Sequence, residues 1–200
     1  MKREEFRQKL IEGTIRVIAR EGLDKASTKL IGQTTSANEA YIYRCFNDKE
    51  DMFAKAFGTL DEELLSKTME HVEVMYQSGM PFELRCRSYF FAIWDFLIGN
   101  RDRCLAYMQY FYSPYFVKHS AEDHKKRFAP LVAKFRPAFK DEADVWMILN
   151  LMLNVALDFA VKVHNDQMPN NDDYSEHVFR VIYAAVKQYF RNNGESDVPV

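Results

Sequence analysis

The sequence predicts an all-α fold, on three observations. Apolar residues recur three and four apart along most of the 200 residues, the spacing that puts them on one face of a helix. No stretch alternates apolar and polar residues as a half-buried strand does, and there is no internal repeat or low-complexity segment. The third observation is punctuation. Gly22, Asn38, Asp48, Gly79-Met80-Pro81, Gly99-Asn100 and Ser113-Pro114 fall between the periodic runs, where helices are capped or broken. With 48% hydrophobic residues and well-mixed charges, the chain has the material for a core and not the composition of a disordered segment.

The first helix is expected over Arg3 to Glu21, with Phe6, Leu10, Ile11, Thr14, Val17 and Ile18 as its buried stripe. Gly22 suits a left-handed cap, with Leu23 folding back onto the helix. The stretch from Ser27 to Lys49, STKLIGQTTSANEAYIYRCFNDK, reads as two very short helices and the start of a third. Ser27 or Thr28 can cap the first, because a hydroxyl there accepts from N–H groups left free at a helix start. Leu30 and Ile31 point inward, and Thr35 and Ser36 break the run. Asn38 caps the second, on which Ile42, Cys45 and Phe46 share one face. At about 100° per residue, Ala40 and Arg44 lie opposite, with Tyr41 and Tyr43 on the flanks. One side is held to a core and the other is offered outward. A two-turn helix is unstable alone, so it requires tertiary support.

Asp48 caps a long helix expected to run to about Gln77, with Phe53, Phe57, Leu60, Leu64 and Met75 among its apolar positions and Gly58 as a point of weakness. Further helices are expected over Pro81 to Ile98 and Arg101 to Tyr112. A less regular helical region, Tyr115 to Phe139, divides near Ser120. Helices then return from about Lys140 to Asp166 and from Asp172 to Asn192, leaving residues 194–200 as a mobile tail.

Cys45, Cys86 and Cys104 are odd in number and form no CxxC pair, which argues for a reducing cytoplasm and against a disulfide frame or structural zinc. The charged start lacks a signal-peptide core. The most apolar run, Val145 to Val163, is interrupted by Asn150, Asn154 and Asp158, so no membrane span is expected. Net charge is −2, but residues 1–50 hold ten Lys and Arg against eight Asp and Glu. No nucleophile elbow, glycine-rich phosphate loop or HExxH is present, so neither an enzyme nor a bound cofactor is expected. His119 and His124 flank Glu122 and Asp123, but their spacing does not share a helix face; a solvated charged turn is expected there, and no metal.

The region from Phe6 to Phe57 resembles the DNA-binding region of the TetR family of bacterial transcriptional regulators. The resemblance is carried by Gly22 after a long helix, Ser27-Thr28 before Ile31, Asn38, Ile42-Tyr43, Phe46, and Lys49-Glu50 followed by Met52. Two departures stand out: Ser36 replaces the family's usual Gly in the turn, and Glu39 and Tyr41 occupy a helix where small or hydrogen-bonding residues are commoner. The resemblance implies a helix-turn-helix domain over 1–48 and an effector-binding and dimerisation domain over 49–193. It implies a repressor, released by a small hydrophobic or amphipathic effector, that binds a double-stranded DNA operator as a homodimer. Matched position by position, Tyr43 and Lys49 hold phosphates, Ser27, Thr28 and Lys29 add phosphate contacts, and Asn38, Glu39, Ala40, Tyr41 and Arg44 lie near base edges. The competing reading is a helical small-molecule-binding homodimer without specific DNA binding, favoured by Glu39 and the small positive charge.

Eleven of the 29 aromatic residues fall between Tyr89 and Phe116. Either they fill a core or they wall an effector pocket. In the second case Phe90, Trp94, Tyr107, Tyr110 and Phe111 line it, with Asn150 or Asn154 as polar members. Asn150, Asn154 and Asp158 form one row on their helix, which Lys162 continues; Lys162 is placed to pair with Asp158. The last two helices carry more apolar surface than one intramolecular contact needs. Val181 lies on the second of them. In the resembling family these two helices form a four-helix dimer seam.

Overall fold

The computed structural model describes residues 3–77 and 79–191. They form ten α-helices: α1 Arg3–Glu21, α2 Thr28–Thr35, α3 Glu39–Cys45, α4 Lys49–His71, α5 Phe82–Gly99, α6 Arg101–Phe111, α7 Pro114–His119, α8 Ala121–Phe135, α9 Val145–His164 and α10 Asp172–Val186. The packing divides into two compact units. The first takes the chain up to Leu64 together with Asn100–Arg127, and the second takes Leu65–Gly99 and the chain from Phe128. This division follows contacts and cuts within α4 and α8, so it differs from a functional boundary drawn at residue 48.

In the first unit, α1 packs against α2 and α6. Gly22 ends α1 at φ +92°, its N–H donating to the Ile18 carbonyl at 3.0 Å. A second glycine sets how close α2 comes. A Cβ at Gly13 would lie 2.1 Å from the Thr35 methyl, so the two helices meet where α1 has no side chain. Leu10, Ile15, Ile31, Ile42, Met52 and Phe53 are buried beneath them. Polar ties fix α6 beside α1. The Leu23 N–H donates to Gln109 at 3.0 Å, and Arg103 bridges Glu63 at 2.7 Å and Glu12 at 3.1 Å.

The second unit packs α5 with α9 and α10 around Phe82, Phe90, Phe139, Leu157, Phe179 and Phe190. Its helix ends depart from the sequence expectation for local reasons. The long fourth helix turns 3-10 at Val72–Tyr76. α9 begins at Val145 rather than near Lys140, because Asp144 caps it, accepting from the Met147 N–H at 3.0 Å. The residues before it are committed elsewhere: Phe139 bridges Phe190, and the Lys140 N–H donates to the Tyr189 carbonyl at 2.9 Å. The same bridge stops α10 short of Asn192, after a tightened turn at Lys187–Tyr189. The expected division near Ser120 falls between α7 and α8. The expected mobile tail, 194–200, lies outside the described residues.

Candidate nucleic-acid interface

Each short helix is held by the cap its sequence supplies. Ser27 accepts from the Leu30 N–H at 3.2 Å, Asn38 from the Ala40 N–H at 3.0 Å, and Asp48 from the Asp51 N–H at 2.7 Å. Between α2 and α3 the chain turns on Ser36 in the left-handed region, φ 53°, a conformation that favours glycine. On α3, Ile42 and the following Phe46 are buried. Asn38, Glu39, Ala40, Tyr41, Tyr43 and Arg44 are exposed, Lys29 likewise, while Ser27, Thr28 and Lys49 are half-buried. The structure therefore brings all ten residues expected to meet DNA onto one module, around one outward helix face.

Their contacts differ in ways the sequence did not show. The two tyrosines, placed on the flanks of α3, are unequal. Tyr41 meets Phe6 edge-on, ring centroids 5.7 Å apart, and carries the Arg44 guanidinium 5.0 Å above its ring. Arg3 donates to the Arg44 carbonyl at 3.1 Å. That flank is buttressed by α1. Among the described residues Tyr43 has no such partner, and it is 55% exposed, so its hydroxyl is available to an incoming phosphate. The Glu39 carboxylate accepts from the Thr28 hydroxyl in a short contact, which ties α3 to the start of α2 and draws the one acidic group of the face towards a donor. Lys49 holds its ammonium 5.3 Å from the Phe53 ring centroid and would leave it, at about 0.5–1 kcal/mol, to reach a phosphate.

Residues 10–56 match the family profile described as bacterial regulatory proteins, tetR family. These residues belong to the TetR family. A curated relative, the nicotine-responsive transcriptional repressor HdnoR of Paenarthrobacter nicotinovorans, is 36% identical over 59 residues, a match covering 30% of this chain and 30% of that protein. Over about nine-tenths of its length the chain has the fold of solved TetR-family structures. A regulator from Marinobacter aquaeolei superposes with a TM-score of 0.73 at 13% identity, over 91% of this chain and 95% of that one. FadR from Bacillus subtilis, solved with stearoyl-CoA, gives 0.68 at 15% identity over 88% and 96%. At these identities the likeness is one of fold.

Behind the TetR-family module lies a polar centre that the sequence reading missed. Asp61 on α4 is fully buried. Its carboxylate meets His124 Nδ1 at 2.8 Å, accepts from the Tyr107 hydroxyl at 3.2 Å and pairs with Arg127 at 2.5 Å. His124 is thus not in a solvated turn: α8 turns it inward, 3% exposed. His119 instead pairs with Glu50 at 2.6 Å, so the two histidines do serve different partners. Lys118, then His119, hold the Glu50 carboxyl below its ordinary range. The signal was present: Phe57, Leu60, Asp61 and Leu64 have stripe spacing, so a carboxylate there must be buried and paired. Among the described residues no cluster of three or more His, Cys, Asp or Glu could hold a metal.

The seven expected effector-pocket residues are divided. Tyr107, Tyr110 and Phe111 belong to the first unit, and Phe90, Trp94, Asn150 and Asn154 to the second. Tyr110 stacks on Phe57 at 4.8 Å and Tyr107 on Phe111 at 5.8 Å. In the second unit Trp94 stacks on Phe90 at 5.7 Å. An apolar cavity beside Phe90 has room for only about 20 Å³, the space of one water. Asn150 donates to the Trp146 carbonyl of its own helix at 2.9 Å and Asn154 is half-buried. The Asp158–Lys162 pair forms at 2.7 Å.

α9 is long and apolar enough, by length and composition, to cross a membrane, although Asn150, Asn154 and Asp158 interrupt its apolar run. Only 28% of its most apolar stretch is buried. Met147, Leu151 and Val181 on α9 and α10 are exposed, whereas Leu157, Val178, Ile182 and Val186 fill the unit's own core.

Proposed function

We propose that this chain is a cytoplasmic DNA-binding transcriptional regulator, a homodimer that represses transcription until a small hydrophobic or amphipathic effector releases it. The observation that carries the reading is α3: a capped two-turn helix with Ile42 buried and Asn38, Ala40, Tyr43 and Arg44 presented outward, in a module of the TetR family. HdnoR, named a nicotine-responsive repressor, and FadR, solved with stearoyl-CoA, support a small-molecule effector. α3 enters the major groove, with Tyr43, Lys49 and the start of α2 on phosphates and the Asn38-to-Arg44 face on base edges. A protein working this way has no turnover to perform and is not an enzyme. The uncovered apolar side of α9 and α10 makes the dimer seam. A membrane is the poorer occupant, since α9 carries Asn150, Asn154 and the Asp158–Lys162 pair in one row.

Regulation is then a coupling free energy between effector and DNA sites. The effector binds more tightly to a state whose two reading helices no longer match successive major grooves, about 34 Å apart. Selection from a pool of randomised duplexes tests this. A two-fold symmetric site with half-sites separated by whole turns is the expected product. Recovery of no enriched sequence would favour the small-molecule-binding dimer without DNA recognition.

A further inference from the structure

α1, α4 and the start of α8 enclose a second, polar cleft of about 320 Å³, wholly within the first unit. Arg7, Lys55 and Arg127 reach it from three different helices. Its charges are sorted by depth. The Arg7 and Arg127 side chains are 30% and 23% exposed, whereas the Glu62 carboxylate on the same wall is 70% exposed. The second acid, Asp123, is also exposed. The two arginines lie deeper than the two carboxylates, with Lys55 exposed at the mouth, which sets the sign of a guest. Arg127 is held in place by Asp61 through Nη1, and its Nη2 lies beside Gly58, 3.8 Å from where a Cβ would be. Its Nε lies 3.7 Å from the Glu62 carboxylate, so the guanidinium is fixed from two sides at the cleft wall, a pre-organised partner for a planar or tetrahedral oxyanion able to displace the exposed Glu62.

We propose that this cleft binds a small oxyanion, the phosphate or carboxylate group of a metabolite, with Arg7, Lys55 and Arg127 as its ligands. The volume is at the low end for a ligand site and its polar lining suits a compact charged guest, unlike an apolar effector. Arg7 also lies 5.5 Å from the centroid of the Phe46 ring, the residue that ends α3, so a guest that draws on Arg7 acts on the support of the reading helix. That consequence rests on the DNA-binding reading; the site itself does not.

Isothermal titration of the full chain without DNA, with sodium chloride balancing ionic strength, tests the site using inorganic phosphate in one arm and succinate in the other. One saturable site per chain is expected in at least one arm, and the arm that binds names the group. Arg7→Gln and Lys55→Ala are each expected to weaken it about tenfold, the worth of one charge-assisted hydrogen bond. Lys29→Ala, on the α2 surface expected to face DNA, is expected to leave it unchanged. No saturation by roughly 20 mM in either arm, undiminished affinity in the cleft variants, or loss in Lys29→Ala would overturn the proposal. Lys55 is exposed, so its variant decides alone if Arg7→Gln does not fold.

Discussion

Ser36 is the residue at which this chain departs from glycine in a turn that favours it. With φ 53° and ψ 40°, a side chain there carries left-handed strain of about 1–2 kcal/mol, against the extra unfolded-state freedom a glycine would add. Ser36→Gly is therefore expected to stabilise the protein by roughly 0.5–1 kcal/mol, read as a higher urea midpoint with an unchanged slope; a lower midpoint would contradict it. The three cysteines are similarly unequal. Burial pushes the Cys86 and Cys104 thiols up to about 12, while Cys45 is half-exposed at the end of α3. A thiol-reactive dye should titrate one thiol quickly in the native protein and three in denaturant. Glu39 is the residue that argued against DNA. Its carboxylate, held by Thr28, stands on the face proposed to meet DNA, and Glu39→Ala is expected to raise affinity for duplexes of any sequence.

At the scale of elements, the caps and stripes of α1 to α4 were legible because each rests on a residue type with one local use. Ser27, Asn38 and Asp48 stand where the chain needs a side-chain acceptor. Ile42 and Phe46 are four apart on a helix too short to hide them otherwise. What stayed hidden depends on partners distant in sequence. Gly13 gave no sign of its contact with Thr35, and the Asp61 centre needs His124 and Arg127 from α8. Both make predictions. Gly13→Ala places a methyl 2.1 Å from Thr35 and should destabilise by about 1–3 kcal/mol. Asp61→Ala strips a buried carboxylate from its partners and should cost about 3–5 kcal/mol, measured by denaturant unfolding. The ends of α9 and α10 were misjudged for the same reason: the Phe139–Phe190 bridge joins residues 51 apart in sequence. For the proposed seam, Val181→Glu alters an exposed position, 59% accessible, and should yield a folded monomer or an aggregate in sedimentation, from a dimeric parent. A monomeric parent would remove the seam.

For the whole molecule, the family of the N-terminal module was legible and the effector was not. The aromatic cluster read equally as core or pocket wall. Trp94 is 5% exposed and stacked on Phe90, and the cavity that Phe90 lines holds no more than a water. On these contacts Trp94→Ala should cost about 3–5 kcal/mol; a far smaller loss, with altered response to hydrophobic compounds, would instead mark Trp94 as a pocket wall. The outward face of α3 is proposed to read a DNA sequence. The most direct test of this is a titration of two labelled duplexes, the selected site and a scrambled one, with wild type and Arg44→Ala at one stated salt concentration. Wild type should prefer its site by about a thousandfold or more, and Arg44→Ala should lose about tenfold of that preference. Equal affinity of wild type for both duplexes, or an unchanged preference in Arg44→Ala, would contradict it.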